Sequence, residues 1–349
     1  MLRASYTRYF LDFKEPSGTS RGILTRKETF FIHIFDEDHP DRVGIGECAL
    51  FRGLSAEDKP DYEKVLADAC WNFDGYEPDF QERFRSYPSI VMGIETALAD
   101  LLNGGKQQPF KSDFTDGKGE IQINGLVWMG SKDEMAQRIE NKLRNGFTCI
   151  KLKIGAINFE DELMLLKSIR QRFSARDVTL RVDANGGFSD EEALPKLEQL
   201  SKLDIHSIEQ PIKAGQWEQM AYLCANTPVP IALDEDLIGV FAKEDKKNLI
   251  ERIHPQFLVL KPSLHGGFFG AQEWIDLAES NHLGWWITSA LESNVGLNAL
   301  AQWTYLKNNP LPQGLGTGDL FTNNMPSQLL LSGDHLRYCR QANKWTYDD

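Results

Sequence analysis

The feature that most restricts the folds open to this chain is an alternation of two kinds of segment, which begins near residue 119 and repeats eight times. Short apolar segments of strand composition alternate with longer segments that have the helical period of about 3.6 residues. Strands that alternate with helices form a parallel sheet, and eight such units close into a barrel. We therefore predict an α/β fold, a TIM-like (β/α)8 barrel over 118–323, with strands at 121–126, 149–154, 179–183, 207–209, 230–234, 257–261, 285–289 and 313–317.

The first 117 residues follow a different pattern. Residues 1–48 alternate apolar and polar side chains, which predicts an antiparallel sheet of about three strands. A sheet followed by helices predicts an α+β domain over 1–117. The tail, 324–349, exceeds what the barrel needs, and we expect it to pack back on this domain. The predicted helices of the domain lie at 55–72, 78–86 and 89–104.

Composition and charge argue against several functional classes. The chain has 38 Lys and Arg residues against 51 Asp and Glu, a formal charge of −13 without a basic cluster, so we expect neither nucleic acid nor membrane as a partner. No apolar run approaches the ~20 residues of a membrane span, and the first residues lack the apolar core of a signal peptide, which predicts a cytoplasmic protein. The five cysteines are scattered without CxxC pairs, which favours reduced thiols over disulfides or zinc.

Charged residues stand at the ends of five consecutive predicted barrel strands. Their positions are roughly 25 to 30 residues apart, which is the length of one strand–helix unit. All of them should therefore rise to the carboxyl-terminal rim, where barrel enzymes hold their catalytic groups. Lys151 shares a strand face with the first of them because side chains two residues apart point the same way. The five residues are Lys153, Asp183, Glu209, Asp234 and Lys261.

The three acids of this set predict a metal site. Carboxylates that converge repel one another unless a cation neutralises them, and an all-oxygen ligand set favours Mg²⁺, with Mn²⁺ as the second candidate. No His or Cys lies near these strand ends, which argues against zinc. Lys153 and Lys261 would flank the space above the metal, where a lysine can have its pKa lowered towards neutral and act as a general base. The expected chemistry is removal of a proton α to the carboxylate of a small molecule, with the metal holding the resulting enediolate.

Each of these residues taken alone has a plain structural explanation. Asp183 begins a glycine-rich segment that is more often a simple turn, and Glu209 ends a strand shortly before a proline. Lys151, Lys153 and Lys261 taken singly could be solvated strand ends. Their common spacing over four consecutive units is what favours a shared catalytic rim.

Once these residues are set out, the sequence resembles the enolase superfamily, in its muconate-lactonizing branch. The resemblance covers nearly the whole chain and implies a capping domain for the N-terminal segment and the C-terminal tail. It implies metal ligands at Asp183, Glu209 and Asp234, although the third motif leaves Asp236 as an alternative to Asp234. It also implies that Lys153 and Lys261 form an acid/base pair. The matching segments read KLKIG, RVDANGGF, SIEQP, ALDED, LVLKPSLHGG, GIGECA and SIVMGIETALADL.

Within that branch, the segments at 287–297, 16–22 and 123–130 resemble those of o-succinylbenzoate synthases of menaquinone biosynthesis. The resemblance implies that Lys153 removes the proton α to the ring carboxylate and that Lys261 stabilises the ring as a cation over a π system. The loop 16–22 is either a lid over the site or an ordinary hairpin loop. Further substrate-binding or supporting residues would be Asn185, Ser289, Arg181, Lys151 and Glu235.

Other activities remain open at this point. N-succinylamino acid racemases share every catalytic residue, and dipeptide epimerases differ by an Asp-x-Asp pair where this chain has only Asp319. The mandelate-racemase branch would need a histidine near the position of Ser289. A Schiff base on Lys261 and a barrel that only binds ligands are further alternatives, which the carboxylate triad disfavours. A homo-oligomer is compatible with the sequence.

Overall fold

The computed structural model describes residues 1–19, 22–155, 157–339 and 346–347. It begins with an antiparallel sheet of three strands in the order β1-β2-β3. Helices follow the sheet and pack on one of its faces, which is the α+β arrangement that the alternating pattern predicts. The elements are β1 (Leu2–Thr19), β2 (Gly22–Asp36), β3 (His39–Cys48), α1 (Tyr62–Trp71), α2 (Phe73–Tyr76), α3 (Phe80–Arg83) and α4 (Pro88–Leu102).

Helix α4 lies unusually close to the sheet because glycines remove the side chains between them. A Cβ atom added at Gly46 would lie 1.9 Å from the carbonyl oxygen of Gly93, and one at Gly44 would lie 1.9 Å from that of Ala97. Such distances are far inside van der Waals contact, so the helix and strand backbones touch directly. The apolar side chains of this interface are buried, and they include Phe30, Ile32, Ile34, Tyr62, Ile90 and Ile94.

We expect Gly46→Ala to lower the free energy of unfolding by about 3 kcal/mol, because overpacking forces α4 away from β3. Chemical denaturation of the two proteins would measure the difference. Gly75→Ala is the matched control, since a Cβ there meets no atom within 4 Å. We expect that control to stay within about 1 kcal/mol of the parent protein. Equal free energies of unfolding for Gly46→Ala and the parent would show that the close approach of α4 to β3 does not contribute to stability.

The barrel contains seven parallel strands in the order β11-β10-β9-β8-β7-β6-β5. Its elements after β4 (Glu120–Gln122) are β5 (Gly125–Val127), α5 (Lys132–Arg144), β6 (Cys149–Lys153), α6 (Phe159–Arg170), β7 (Thr179–Asp183), α7 (Asp190–Ser201), β8 (Ile205–Glu209), α8 (Trp217–Asn226), β9 (Ile231–Leu233), α9 (Lys243–Ile253), β10 (Phe257–Leu260), α10 (Gly267–Ser280), β11 (Gly284–Ile287) and α11 (Asn294–Leu306).

The eighth strand, predicted at 313–317, is reduced to two parallel bridges. Gln313 bridges Ile123 and Gly314 bridges Thr288, so this segment joins the two edges of the sheet and closes the barrel. The side chain of Gln313 replaces part of a regular ladder, because its Oε1 accepts the backbone N–H of Ile287 at 2.8 Å. The prediction of a (β/α)8 barrel is confirmed.

The described part of the tail pairs with β4, and its Tyr338 also contacts Gln108 and Phe114 of the predicted N-terminal domain. Strands β12 (Leu329–Ser332), β13 (His335–Tyr338) and β14 (Thr346–Tyr347) form a four-stranded sheet with β4, in the order β14-β12-β13-β4. The predicted first barrel strand is divided into β4 and β5, which leaves β4 free to pair with β13. Leu329, Leu331 and Leu336 are buried in the same core cluster as Ile121, so apolar burial fixes this position.

Within the described residues, no helix is both long and apolar enough to cross a membrane. The longest barrel helix, α10, has 14 residues, against the ~20 that a bilayer requires.

Candidate active site

The predicted rim residues lie side by side at the carboxyl ends of neighbouring strands. In the sheet register, Lys153 pairs with Asp183, and Asp183 pairs with Glu209. Asp234 and Lys261 directly follow β9 and β10, whose last residues are Leu233 and Leu260. The parallel strands thus carry these charged side chains to one end of the barrel, as the spacing predicts.

Ammonium and carboxylate groups alternate in this cluster. Lys151 Nζ donates to Glu209 Oε2 at 2.5 Å and lies 2.9 Å from Asp183 Oδ2. Lys153 Nζ donates to the same Asp183 oxygen at 3.0 Å. Lys261 Nζ donates to Asp234 Oδ2 and lies 4.0 Å from Glu209 Oε1. Every charge in the cluster therefore has an opposite charge beside it, which is what burial of ions requires.

These pairings shift the pKa values of the cluster. Burial by itself would raise the pKa of Asp183, but the positive charges of Lys151 and Lys153 outweigh it and hold that pKa well below its ordinary value. Burial would lower the pKa of Lys151, yet Asp183 and Glu209 raise it above its ordinary value. Both groups are therefore ionised at neutral pH and act as a fixed ion pair.

The carboxylates around Lys261 raise its pKa. Burial lowers this pKa, but the negative charges of Asp234 and Glu209 outweigh burial and raise it above its ordinary value. Lys261 is therefore a cation beside these carboxylates. The predicted shift towards neutral depends on the charge of a divalent cation next to the lysine, and it stays a prediction.

Two carboxylate oxygens in the cluster have no hydrogen-bond partner among the described residues: Glu209 Oε1 and Asp234 Oδ1. Burial and the charge of Asp183 raise the pKa of Glu209, and burial with the charge of Glu235 raises that of Asp234. Lysine ammonium groups lie between the carboxylates, so within the part of the chain that the structure describes no three acidic side chains enclose one point. The orphaned buried oxygens and the all-oxygen donor set nevertheless fit a hard divalent cation.

The alternative ligand Asp236 is already engaged elsewhere. Its carboxylate accepts hydrogen bonds from Gln210 Nε2 at 2.7 Å and from the backbone N–H of Gly215 at 2.8 Å. Asp234 instead contacts Lys261 inside the cluster. This arrangement supports Asp234 as the third ligand.

Asn185 and Trp128 hold the ammonium group of Lys153. Asn185 Oδ1 accepts from Lys153 Nζ at 2.6 Å, and Asn185 Nδ2 donates to Glu235 Oε1 at 3.0 Å. Lys153 Nζ lies 5.7 Å from the centre of the Trp128 ring, within the range of a cation–π contact. Asn185, which is itself held by Glu235, thus positions the ammonium group of Lys153. Trp128 carried no assigned role in the sequence analysis, although it stands inside the 123–130 segment.

Four residues of the charged cluster line an open cavity of about 720 Å³: Lys151, Lys153, Asp183 and Lys261. Phe51 and Leu54, which follow β3 in the N-terminal domain, form part of its wall. Sequence analysis did not identify these two residues, because no spacing or motif relates them to the barrel. The barrel contributes further lining residues, which include Asn124, Leu126, Trp128, Leu264, Ala290, Leu291 and Thr317.

Ser289 lines this cavity, but its hydroxyl group is fully engaged within the protein. It donates to Glu292 Oε2 at 2.5 Å and accepts from Thr317 Oγ1 at 2.8 Å and from the backbone N–H of Leu291 at 3.0 Å. A serine hydroxyl has one hydrogen and two acceptor positions, so none is left for a substrate. Ser289 therefore supports the wall of the cavity, and a substrate contact at this residue stays a prediction.

Arg181 lies in the barrel interior, below the rim. Its side chain is buried, stacks 3.9 Å from the centre of the Trp286 ring and donates to the carbonyl oxygen of Pro312 at 2.7 Å. It stands two residues before Asp183, and the same face of the strand runs down into the barrel interior. A contact of Arg181 with substrate stays a prediction.

The predicted lid loop 16–22 lies mostly within the β1–β2 hairpin, and Ser20 and Arg21 are outside the described residues. The hairpin before this tip reaches the barrel. Lys14 donates to Asp319, and Phe13 forms a bridge with Phe321. The described part is an extended ribbon that crosses the barrel rim.

A buried carboxyl group anchors the segment that carries Phe51 and Leu54. Glu57 accepts hydrogen bonds from the backbone N–H of Ser89, in the first turn of α4, at 3.1 and 3.3 Å. Burial raises the pKa of Glu57 to about 8 from its ordinary value of 4.5. Because the raised pKa favours the protonated folded form, stability falls as the pH rises from about 4.5 towards 8.

We expect Glu57→Gln to remove this fall in stability with rising pH. At pH 8 the free energy of unfolding of Glu57→Gln should exceed that of the parent by about 3 kcal/mol. Urea denaturation between pH 5 and pH 8.5 would measure it, with the exposed Glu198→Gln as the control. The control should follow the parent at every pH. Parallel curves for Glu57→Gln and the parent would contradict the buried, protonated carboxyl group.

Comparison with known proteins gives relatives for the whole chain. Residues 134–325, more than half of the chain, match the family model described as Enolase C-terminal domain-like. An o-succinylbenzoate synthase of Desulfotalea psychrophila is 45% identical, covering 95% of this chain and 98% of that protein. An L-Ala-D/L-Glu epimerase of Francisella tularensis subsp. novicida is 29% identical, covering 71% of this chain and 68% of that protein.

A solved structure extends this similarity to the fold. The crystal structure of MenC from Desulfotalea psychrophila has a TM-score of 0.83 and 41% identity, covering 96% of this chain and 99% of that chain. The resemblance inferred from the sequence motifs is thereby confirmed, and the barrel with its additional N-terminal domain is the fold of that structure. The chain belongs to the enolase superfamily.

Proposed function

We propose that this protein is a metal-dependent o-succinylbenzoate synthase, a lyase that dehydrates 2-succinyl-6-hydroxy-2,4-cyclohexadiene-1-carboxylate to o-succinylbenzoate, a step towards menaquinone. The observation that favours this activity over those of other relatives is the 45% identity to the Desulfotalea psychrophila synthase along 95% of the chain. The charged cluster supplies the chemistry that such a dehydration needs: a base, a cation and oxygen ligands for a metal.

Asp183, Glu209 and Asp234 would hold the divalent cation, Mg²⁺ or Mn²⁺. When bound, the cation would supply positive charge where negative charge develops on the substrate carboxylate. The unpartnered oxygens of Glu209 and Asp234 support this assignment. A bound cation would neutralise part of the negative charge of the carboxylates. Lys153 would then not be needed as their counter-charge and could act in the reaction.

Lys153 is the proposed base. Its amino group takes the proton from the ring carbon α to the carboxylate, and the C–O bond on the neighbouring carbon then breaks, so that hydroxide leaves. The product ring is aromatic, which supplies much of the driving force. The contacts of Lys153 with Asn185 at 2.6 Å and with Trp128 orient the amino group towards the cavity.

Lys261 is proposed to stay protonated and to stabilise negative charge on the ring from across the cavity. The carboxylates that raise its pKa support this role. Phe51, Leu54 and Leu291 keep the cavity wall apolar, which strengthens these charge interactions by excluding water.

The direct test is conversion of the cyclohexadiene carboxylate by the purified protein in Mg²⁺, followed by the ultraviolet change on aromatisation. Fast conversion that EDTA abolishes and added Mg²⁺ restores would support the synthase. A folded protein that leaves this substrate unchanged would overturn the assignment.

Racemisation of N-succinyl amino acids is the second candidate, because removal of an α-proton between two lysines needs the same groups. Deuterium exchange at the α-carbon in heavy water would detect it. Epimerisation of dipeptides is less well supported, since Asp319, the one acid in the eighth-strand loop, is paired with Lys14 of the β1–β2 hairpin. The cytoplasmic location and a homo-oligomeric state stay predictions from the sequence.

A further inference from the structure

A buried carboxylate behind the cavity wall connects two loops of the site. Glu292 has no solvent exposure. Its Oε1 accepts from Ser263 Oγ at 2.5 Å, and its Oε2 accepts from Ser289 Oγ at 2.5 Å and from the backbone N–H of Ala290 at 2.8 Å. These three hydrogen bonds connect the segment that carries Ser263 with the turn that carries Ser289 and Ala290.

The first of the two loops carries Lys261. Ser263 follows that lysine by two residues, inside the short 3₁₀ turn Pro262–Leu264. The backbone N–H of Lys261 is fixed by His265 Nδ1 at 3.0 Å, and the side chain of Leu264 lines the cavity. The bond from Ser263 to Glu292 thus ties the turn after Lys261 to the next strand end.

The second loop is a strained turn in the cavity wall. Leu291 has a φ of 61°, a left-handed conformation that is unfavourable for a branched side chain. The turn persists because Ser289 Oγ accepts the N–H of Leu291 while Glu292 accepts that of Ala290. Ala290 and Leu291 both line the cavity, so the geometry of this turn sets part of its shape.

Charged groups of the N-terminal domain lie behind the same wall. Lys27, on β2, is buried, and its Nζ has no hydrogen-bond partner among the described residues. Burial lowers the pKa of Lys27, and the charges of Glu47 and Glu292 oppose that shift. Glu47 in turn binds the start of α11, where it accepts from Ser293 Oγ and from the backbone N–H of Gly296. Glu47 thus ties the N-terminal domain to the segment that follows Glu292.

We propose that Glu292 is a positioning residue for the reaction: its carboxylate fixes the Lys261 loop relative to the turn 289–292. The inference rests on the proposed function, because it assigns Glu292 a role in holding Lys261 where charge develops. Glu292 itself is not among the residues that line the cavity, so it acts through Ser263 and Ser289.

The test compares Glu292→Gln with Glu273→Gln. Glu273 also joins the two domains, since it accepts from Arg85 and Lys246, but it does not line the cavity. We expect Glu292→Gln to lower kcat about 100-fold, because a misplacement near 1 Å costs about that much. Its half-saturating Mg²⁺ concentration should stay within about threefold of the parent, since the carboxylate triad is untouched. Glu273→Gln should lower Tm and leave kcat and KM unchanged.

A double-mutant cycle separates positioning from a general loss of stability. Ser263→Ala should lower kcat, and adding it to Glu292→Gln should lower kcat no further, because both remove the same connection. Additive losses in kcat, or a Glu292→Gln protein with parental kcat, would overturn the proposal.

Failure of the proposed synthase activity and failure of the proposed role of Glu292 give different experimental results. If the parent protein does not convert the cyclohexadiene carboxylate, the proposed function has failed whatever the variants do. The same cycle would then be measured by α-deuterium exchange of an N-succinyl amino acid, which uses the same lysines. In either assay, the inference is judged only by the variants relative to an active parent.

Discussion

Lys153→Ala and Lys261→Ala should each lower kcat by at least about 10³-fold while the protein stays folded. For Lys153 the loss follows from removal of the proposed base, and no neighbouring group can replace it, because Lys151 is held by Asp183 and Glu209. For Lys261 the loss follows from removal of the cation that faces the developing charge on the ring. Rate measurements with the cyclohexadiene carboxylate would quantify both losses.

The fold should tolerate both substitutions. Asp183 keeps Lys151 as a partner when Lys153 is absent. Lys261→Ala removes the lysine paired with Asp234, and the divalent cation bound in the assay would neutralise that carboxylate. Lys132→Ala is the matched control, since this lysine forms a half-exposed pair with Asp161 away from the cavity. The control should keep the parental kcat, and circular dichroism should give the same spectrum for all four proteins. Activity within tenfold of the parent in either site variant would contradict the two-lysine mechanism.

Chelation of divalent metal should abolish turnover, and Glu209→Gln should raise the Mg²⁺ concentration for half-maximal activity by roughly 100-fold. Glu209 supplies an unpartnered buried oxygen, and an amide is a neutral and much weaker ligand for a hard cation. Titration of chelated protein with Mg²⁺, read both by activity and by calorimetry, would measure the change.

Asp236→Asn provides the matched control and also decides between the two candidate third ligands. Its carboxylate is engaged with Gln210 and Gly215, so we expect a half-saturating Mg²⁺ concentration within threefold of the parent. Asp234→Asn should instead behave like Glu209→Gln. If Asp236→Asn lost Mg²⁺ affinity and Asp234→Asn did not, Asp236 would be the third ligand instead of Asp234.

The relation between sequence and fold is clearest at the strand ends. A parallel barrel brings the residue that ends each strand to one rim, so Asp183 and Glu209 can be identified from spacing alone. The residues of the predicted cluster do lie together, while their roles as ligands, base and cation stay predictions. The eighth strand is the exception, because a side-chain bond from Gln313 replaces part of its ladder.

Several parts of the site have no local signal. Phe51 and Leu54 reach the cavity only because the N-terminal domain packs on the barrel. Arg181 stands two residues before Asp183, which predicts that its side chain faces the barrel interior. This spacing alone does not tell whether a side chain lies at the rim or one layer below it. The tail joins β4 because β4 separates from β5 and offers a free edge, which the hydrophobic pattern of 121–126 does not reveal.

The sequence by itself determined the number of strand–helix units, the order of the charged residues along the rim and the family to which the chain belongs. These properties depend on periods of two and about 3.6 residues and on spacing along the chain, which are local. Only the tertiary structure decided that the hydroxyl group of Ser289 is saturated and that Glu292 joins it to Ser263. Such contacts depend on how separate segments pack, and packing leaves no period in the sequence.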